Sequence, residues 1–126
     1  MRYIIDAFAW MAYLEGGDKG VKVNSLLTGN NEIFAIPTTI SEVVSKVKRK
    51  GGNTENAYNA IINNSTIINL TPNIAKQSGL SHANIRKKIP HFGLADALIL
   101  EVARKIEAKI ITGDTHFKSF KEAIIL

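Results

Sequence analysis

The sequence predicts an α/β protein in which a central, mostly parallel sheet of four to five short strands lies between two layers of helices. Short apolar runs alternate with helical patterns along the whole chain. That alternation favours parallel β-α-β units with right-handed crossovers and helices on both faces of the sheet. With 126 residues, of which 45% are hydrophobic, the chain is long enough for one sizeable core. We therefore expect a single domain spanning residues 1–126.

The N-terminal segment has the order strand, acid, helix. Residues 2–5 form an apolar run that predicts a buried strand, and Asp6 ends it. Residues 7–15 then carry large apolar side chains at helical spacing, and two consecutive glycines stop this helix. A second helix is expected over residues 19–27, where a threonine, a glycine and an asparagine close it.

The middle of the chain repeats the alternation. Residues 33–36 predict a strand that Pro37 ends. A third helix is expected from Thr39 to Lys50, because Thr39 and Glu42 match the capping box S/T-x-x-E. The further elements expected here are a helix over 53–63, a strand over 66–70 and a helix over 71–84.

The segment after Gly93 predicts a helix that is followed at once by a strand. Apolar residues recur every four positions from Leu94 onwards, which indicates an amphipathic helix, and residues 109–112 are a β-branched and apolar run. Because the connection is so short, the two elements must run antiparallel. The start of the helix and the end of the strand then lie at one edge, and they carry Asp96 and Asp114. A turn of helix over 116–121 and a last strand over 123–126 complete the chain.

Composition and charge limit the possible functions. Sixteen Lys and Arg against eleven Asp and Glu give a formal net charge of +5, which favours polyanionic partners. The absence of cysteine excludes disulfides, thiol catalysis and a cysteine metal site. No apolar run reaches the roughly 18 residues that a membrane span needs. We expect a soluble cytoplasmic protein.

Four acids are expected to share one cleft. Ligands of parallel sheets bind beyond the carboxyl ends of the strands, where Asp6, Glu42, Asp96 and Asp114 are expected. Each acid alone also has a purely structural explanation as a helix cap, a partner of the helix dipole or a turn residue. Together, however, clustered carboxylates repel one another and need a cation or shared protons. Hard oxygen ligands without cysteine suit Mg²⁺ or Mn²⁺.

Four short motifs carry a resemblance to a known family. They are Ile-Asp-Ala-Phe-Ala-Trp, Thr-Ile-Ser-Glu, Leu-Ala-Asp-Ala-Leu-Ile and Ile-Thr-Gly-Asp. In this order, and over nearly the whole chain, they resemble PIN domains, specifically the VapC-type toxin ribonucleases. The resemblance implies a PIN-like three-layer α/β/α fold, a Mg²⁺ or Mn²⁺ site, endonucleolytic cleavage of RNA, a homodimer and a cognate antitoxin. It also implies that Asp6, Glu42, Asp96 and Asp114 are the catalytic and metal-binding residues, and that Thr112 is the family's supporting hydroxyl residue.

The chain departs from the family pattern at two positions. Many members carry a small hydroxyl residue where this chain has Phe8, so one supporting hydrogen bond is expected to be missing. Many also carry a further acid where this chain has His116. The histidine could replace that acid as a ligand, support the site by contacting a phosphate, or lie at the surface, and the surface interpretation is favoured.

Basic residues form two candidate RNA-binding flanks. Lys46, Arg49 and Lys50 follow Glu42 at helical spacing and are expected on its face of the third helix, where they could lead a phosphate backbone to the acids. An ordinary solvated helix end explains them about as well. The second flank precedes the helix of Asp96 and consists of Arg86, Lys87 and Lys88.

The leading hypothesis is a Mg²⁺- or Mn²⁺-dependent endoribonuclease that hydrolyses RNA phosphodiester bonds and is the toxin of a type II toxin-antitoxin system. The alternative is a non-catalytic RNA-binding or scaffold module that retains the fold. The chain contains no G-x-S-x-G motif, no Walker loop and no G-x-G-x-x-G motif, so these motifs give no support to an α/β-hydrolase, a P-loop NTPase or a dinucleotide-binding protein.

Overall fold

Five strands form the centre of the structure, a computed structural model that describes residues 1–126. The strands are β1 (Arg2–Ile5), β2 (Glu32–Ala35), β3 (Thr66–Ile67), β4 (Lys109–Thr112) and β5 (Ala123–Ile125). They lie in the order β3-β2-β1-β4-β5, and every neighbouring pair is parallel. The sheet is therefore fully parallel, and the predicted α/β class is confirmed.

Six α-helices and one 3₁₀ turn connect the strands. The α-helices are α1 (Ala7–Glu15), α2 (Asp18–Thr28), α3 (Pro37–Arg49), α4 (Thr54–Asn64), α5 (Pro72–Ile85) and α6 (Leu94–Ile106), and the 3₁₀ turn is Thr115–Phe117. Each predicted helix is present within a few residues of its expected bounds. None of the helices combines the length and the apolar character that a membrane span requires.

The two faces of the sheet bury separate apolar clusters. Ile4 of β1 points to one face and packs in a cluster with Leu100 of α6, and the next residue, Ile5, points to the opposite face with Trp10 of α1. Because successive strand residues alternate in direction, a strand that is apolar throughout needs cover on both sides. The helices α5 and α6 provide that cover on one face, and α1 to α4 provide it on the other.

The predicted capping box at the start of α3 is wrong. The helix begins at Pro37, its N-cap is Ile36, and Thr39 is a fully buried residue of the first turn. The fixed φ of proline and its missing N–H suit the first helical position, so Pro37 begins the helix as well as ending the strand. Glu42 consequently lies in the second turn of α3 and not in the first.

The third strand is shorter than predicted. The sequence pattern continues to residue 70, but only Thr66 and Ile67 pair, with Phe34 and Ala35 of β2. Because β3 is an edge strand with a single neighbour, its length is limited by the end of β2 at Ala35. One further backbone bond, from the N–H of Ile68 to the carbonyl of Ala35, ends the ladder.

A glycine allows α1 and α2 to pack closely. A Cβ atom at Gly20 would lie 2.3 Å from the carbonyl oxygen of Ala12 in α1, which is far inside the contact limit. By contrast, a Cβ atom at Gly79 of α5 would meet nothing within 4 Å. Close packing of the two helices therefore requires a glycine at position 20 but not at position 79.

We predict opposite effects on stability for the same substitution at these two positions. Gly79→Ala should raise the free energy of unfolding by about 0.5–1 kcal/mol, since alanine favours an exposed helix interior. Gly20→Ala should lower it by roughly 1–3 kcal/mol, because the new methyl group forces α1 and α2 apart. Urea unfolding of the two variants and the wild type measures both changes, and equal gains would contradict the close packing at Gly20.

Candidate functional site

The candidate site lies where the chain changes direction across the sheet. From β1 the chain passes to β2 on one side, and β4 returns on the other side of β1. The carboxyl ends of β1 and β4 therefore flank the topological switch point, where parallel sheets bind ligands. Their register pairs Ile5 with Ile111, and the N–H of Asp6 donates to the carbonyl of Ile111 at 3.2 Å. This places Asp6 beside Thr112.

The four acids singled out in the sequence line one cleft of about 330 Å³ at this edge. They reach it from four different elements. Asp6 follows β1, Glu42 lies on α3, Asp96 lies in the first turn of α6, and Asp114 follows β4. Residues that are 108 positions apart in the chain, Asp6 and Asp114, thus face the same space.

Asp6 is the most deeply buried of these acids. Its side chain is both a helix cap and a member of the acid cluster, since its Oδ1 accepts the N–H of Ala9 at 2.9 Å. Burial raises the pKa of Asp6 from 3.8 to about 7, against the lowering effect of hydrogen bonds from the Thr112 hydroxyl and the Ala9 N–H. The charges of Asp96 and Asp114 raise it further. The cap therefore offsets only part of the cost of burying this charge.

Asp96 and Glu42 carry weaker effects of the same kind. Burial raises the pKa of Asp96, while the Gly93 N–H, which donates to its Oδ2 at 3.3 Å, lowers it and the Asp114 charge raises it. Burial also raises the pKa of Glu42, and the charge of Asp96 adds to this, while the Lys46 ammonium lowers it. The charge of a second acid in the cleft therefore contributes to the raised pKa of both Asp96 and Glu42.

Hydrogen bonds to the backbone and to His116 orient Asp114. Its Oδ1 accepts the N–H of His116 at 2.8 Å, and its own N–H donates to the Thr112 hydroxyl oxygen at 2.9 Å. The Nδ1 atom of the His116 ring lies 3.3 Å from the same Oδ1. His116 is only partly exposed and faces the acids, so its position fits a role in the site better than the favoured surface interpretation.

The donor atoms fit a hard divalent cation. One ligand atom from each of Asp96, Asp114 and His116 lies within 4.8 Å of the others. Carboxylate oxygens are the ligands that Mg²⁺ and Mn²⁺ prefer, and Mn²⁺ also accepts an imidazole nitrogen. A positive charge in the cleft would also offset the mutual repulsion of the acids.

Phe8 occupies the edge of the cleft. Its ring lies against Gly113, where a Cβ atom would fall 2.0 Å from the ring carbon Cε1. The side chain is 40% exposed, and the Lys19 ammonium lies 5.2 Å from the ring centroid. An aromatic ring, which cannot donate a hydroxyl hydrogen bond, therefore lies beside the acids at the position where the resemblance led us to expect a small hydroxyl residue. Nothing in the sequence linked Lys19 to this place, because only the packing of α2 on α1 brings it there.

The basic residues divide into those that reach the cleft and those that do not. Lys46 lines the acid cleft, and both Lys46 and Lys50 line the neighbouring cavity. Arg49 lies outside both cavities and donates to the carbonyl of Ser45 at 3.3 Å. The second predicted flank, Arg86, Lys87 and Lys88, is exposed between α5 and α6 and lines neither cavity.

Several solved structures share the fold. The protein is similar to a toxin-antitoxin complex from Klebsiella pneumoniae, with a TM-score of 0.75 and 20% identity over 97% of this chain and 95% of that one. It is similar to VapBC2 from Rickettsia felis bound to a promoter DNA fragment, with a TM-score of 0.74 and 21% identity over 100% and 98% of the chains. A third similar structure is VapC20 of Mycobacterium tuberculosis, a toxin that cleaves the sarcin-ricin loop, with a TM-score of 0.72 and 18% identity over 95% and 97%.

Sequence comparison gives the family. A search of curated proteins found no match to the chain. The PIN domain family, however, matches residues 3–123, which include all four acids, the whole of β2, β3 and β4, and all of β1 except Arg2. The parallel sheet, the acid cleft at its switch point and this match over nearly the whole sequence agree with one another. The chain belongs to the PIN domain family.

Proposed function

We propose that this protein is a Mg²⁺- or Mn²⁺-dependent endoribonuclease that hydrolyses phosphodiester bonds in RNA, and that it acts in the cytoplasm as the toxin of a type II toxin-antitoxin system. The observation that carries the proposal is the convergence of four carboxylates from four elements in one cleft. Three of these acids have pKa values raised by burial and by one another, which is an arrangement that a bound cation would stabilise.

In this proposal the protein supplies oriented carboxylates. Asp96 and Asp114, whose ligand atoms lie close to each other and to one of His116, would hold the cation together with Asp6, and Glu42 would complete the negative cleft. When bound, the cation lowers the pKa of an attacking water and neutralises charge that develops on the phosphate. The Thr112 hydroxyl orients Asp6 and accepts the N–H of Asp114, so one buried side chain positions two acids. His116 holds Asp114 from the other side.

Lys46 connects the acid cleft to the proposed substrate. Its ammonium favours the ionised form of Glu42 and lies on the wall of the same cleft. A cation there can hold the RNA backbone next to the acids, because phosphate contacts dominate the affinity of nucleic-acid binding. Without such a group the four acids would repel a polyanion.

The first prediction of this proposal concerns cleavage. The purified protein should cut a mixed single-stranded RNA pool in Mg²⁺ and should not cut it in EDTA. Asp114→Asn should reduce the rate by roughly 10²-fold or more, since it removes a carboxylate that would hold the cation against the reacting phosphate. Gel analysis of end-labelled RNA measures the rate.

A matched control separates a site effect from a general loss of charge. Glu55 is an acid in the first turn of α4, where it is exposed and lies outside the acid cleft. Glu55→Gln should leave the rate unchanged. RNA that is bound but not cut in Mg²⁺ would support the non-catalytic RNA-binding module instead.

The second prediction uses the stability of the metal-free protein. The pKa of Asp6 is about 7 in the folded chain and 3.8 as its ordinary value. Between these two pH values Asp6 keeps its proton in the folded state but has lost it in the unfolded state. The stability that the protonated Asp6 contributes is therefore complete below about pH 4 and is lost as the pH rises through 7. In EDTA, Asp6→Asn should therefore melt near the wild type at pH 4 and several degrees above it at pH 8. Thermal melts across this pH range measure the difference.

Mg²⁺ should reverse this order at pH 8. A ligand present at about a hundred times its Kd stabilises the native state by roughly 2.7 kcal/mol, which is several degrees for a domain of this size. The wild type should gain this shift, whereas Asp6→Asn, Asp96→Asn and Asp114→Asn should largely lose it. Equal Mg²⁺ shifts in all four proteins would show that these acids do not form one metal site.

We extend the proposal to two protein partners, a cognate antitoxin and a second copy of this chain. Support for the antitoxin comes from the Klebsiella and Rickettsia structures, which are a toxin-antitoxin complex and VapBC2. Support for the homodimer comes from apolar exposure on the first helices, where Val21 of α2 is 63% exposed. The interface between two copies would have to bury such side chains in one contiguous apolar patch.

We predict a mass near twice the 13.8 kDa of one chain in light scattering at micromolar concentrations. Val21→Asp should lower this mass towards that of one chain, because it places a charge in the interface. Leu80→Asp is the control, since Leu80 of α5 is similarly exposed, at 56%, but lies among the helices on the opposite face of the sheet. A monomeric wild-type mass would contradict the homodimer.

A further inference from the structure

A second cavity opens next to the acid cleft. It has a volume of about 530 Å³, lies between α1, α2 and α3, and shares Phe8 and Lys46 with the acid cleft. We call it the lysine groove and define it by Phe8, Met11, Lys19, Gly20, Lys46 and Lys50. Because the two cavities share part of their walls, a chain that crosses the acids can continue directly into this groove.

Phe8 is the aromatic side chain at the junction. It is the second residue of α1, and although the residues on either side of it are buried, its own ring is 40% exposed. The ring rests on Gly113, between Thr112 and Asp114, in space that any larger residue would fill. An apolar ring is thus held next to the acids with part of its surface open to the solvent.

The groove carries excess positive charge. Its basic residues are Lys19, Lys46 and Lys50, and its acids are Glu15 and Asp18. Glu15 pairs with Lys50 at 3.2 Å, whereas Lys19 and Lys46 form no salt bridge. Lys19 instead lies over the Phe8 ring, at 5.2 Å from the centroid. Because the lysine is exposed, with a flexible stem, its ammonium can leave the ring for a phosphate while a flat group takes its place.

We propose that the lysine groove binds the nucleotide next to the scissile phosphate of single-stranded RNA, with its base stacked on Phe8 and its phosphate held by Lys19 and Lys46. The inference rests on the proposed ribonuclease function and specifies its substrate. A free aromatic face can accept only a base that has left its stack, which favours single strands and loops over duplexes. An acidic peptide could use the lysines, but it would not need an aromatic ring beside the acids.

Two RNA probes test the stacking separately from the charge. One is a single-stranded ten-nucleotide oligoadenylate, and the other is an abasic ten-mer with the same ribose-phosphate backbone. Binding of the full chain is measured by fluorescence anisotropy in EDTA, so that neither probe is cut. Phe8→Ala should weaken oligoadenylate binding by roughly 5- to 150-fold, the range for loss of one base-aromatic stack, and should leave the abasic probe unchanged. Phe8→Tyr should retain the wild-type affinity for both.

Two further variants complete the comparison. Lys19→Ala should weaken the binding of both probes by the same factor. It should also lower the slope of log affinity against log salt by about 0.7, the single-strand value for one phosphate contact. Tyr58→Ala is the matched control, because Tyr58 on α4 is 41% exposed, almost the same as Phe8, but lines neither cavity. Tyr58→Ala should leave the affinity for both probes unchanged.

The contrary results are distinct from a failure of the ribonuclease proposal. If Phe8→Ala behaves like Tyr58→Ala, or weakens both probes equally, the stacking site is overturned and a peptide becomes the better occupant of the groove. Absence of wild-type binding to either probe also overturns it, since the ring and the lysines need no cation. The ribonuclease proposal is judged separately, by cleavage in Mg²⁺ against EDTA.

Discussion

The burial of negative charge at the end of β1 is the constraint around which this structure is arranged. Asp6 is 4% exposed and lies in one cleft with three further acids. Buried carboxylates that face one another have raised pKa values, because both the loss of water and the neighbouring charges disfavour ionisation. Such a cluster persists only if the rest of the fold contributes more stability than it costs.

Local polar contacts and rigid strands offset the cost of burying these acids. Backbone N–H groups at the starts of helices donate to Asp6 and Asp96. The buried Thr112 hydroxyl accepts the N–H of Asp114 and lowers the pKa of Asp6. These contacts lie at the ends of central strands that have apolar cover on both faces. Asp6 and Asp114 therefore directly follow strands that are paired on both sides and covered on both faces, which limits their movement.

The position of the Phe8 ring beside the acids depends on a single neighbouring glycine. The ring lies where a side chain at position 113 would stand, so Phe8 and Gly113 have to be considered together. The ring provides an aromatic surface beside the acids but no hydroxyl group. Thr112 is the buried hydroxyl residue next to the acids, and it lowers the pKa of Asp6.

The amino-acid sequence alone predicted the order of the elements, a mostly parallel sheet and the four acids at its carboxyl edge. These features depend on local periodicity and on connection lengths, as in the helix and strand that bring Asp96 and Asp114 to one edge. It misplaced the start of α3, because Pro37 suits both the end of a strand and the first turn of a helix. Which side chains line the same cavity is evident only from the folded chain. The placement of Lys19 over Phe8, of Arg49 outside the cleft and of His116 against Asp114 follows from the packing of separate elements, which no local pattern encodes.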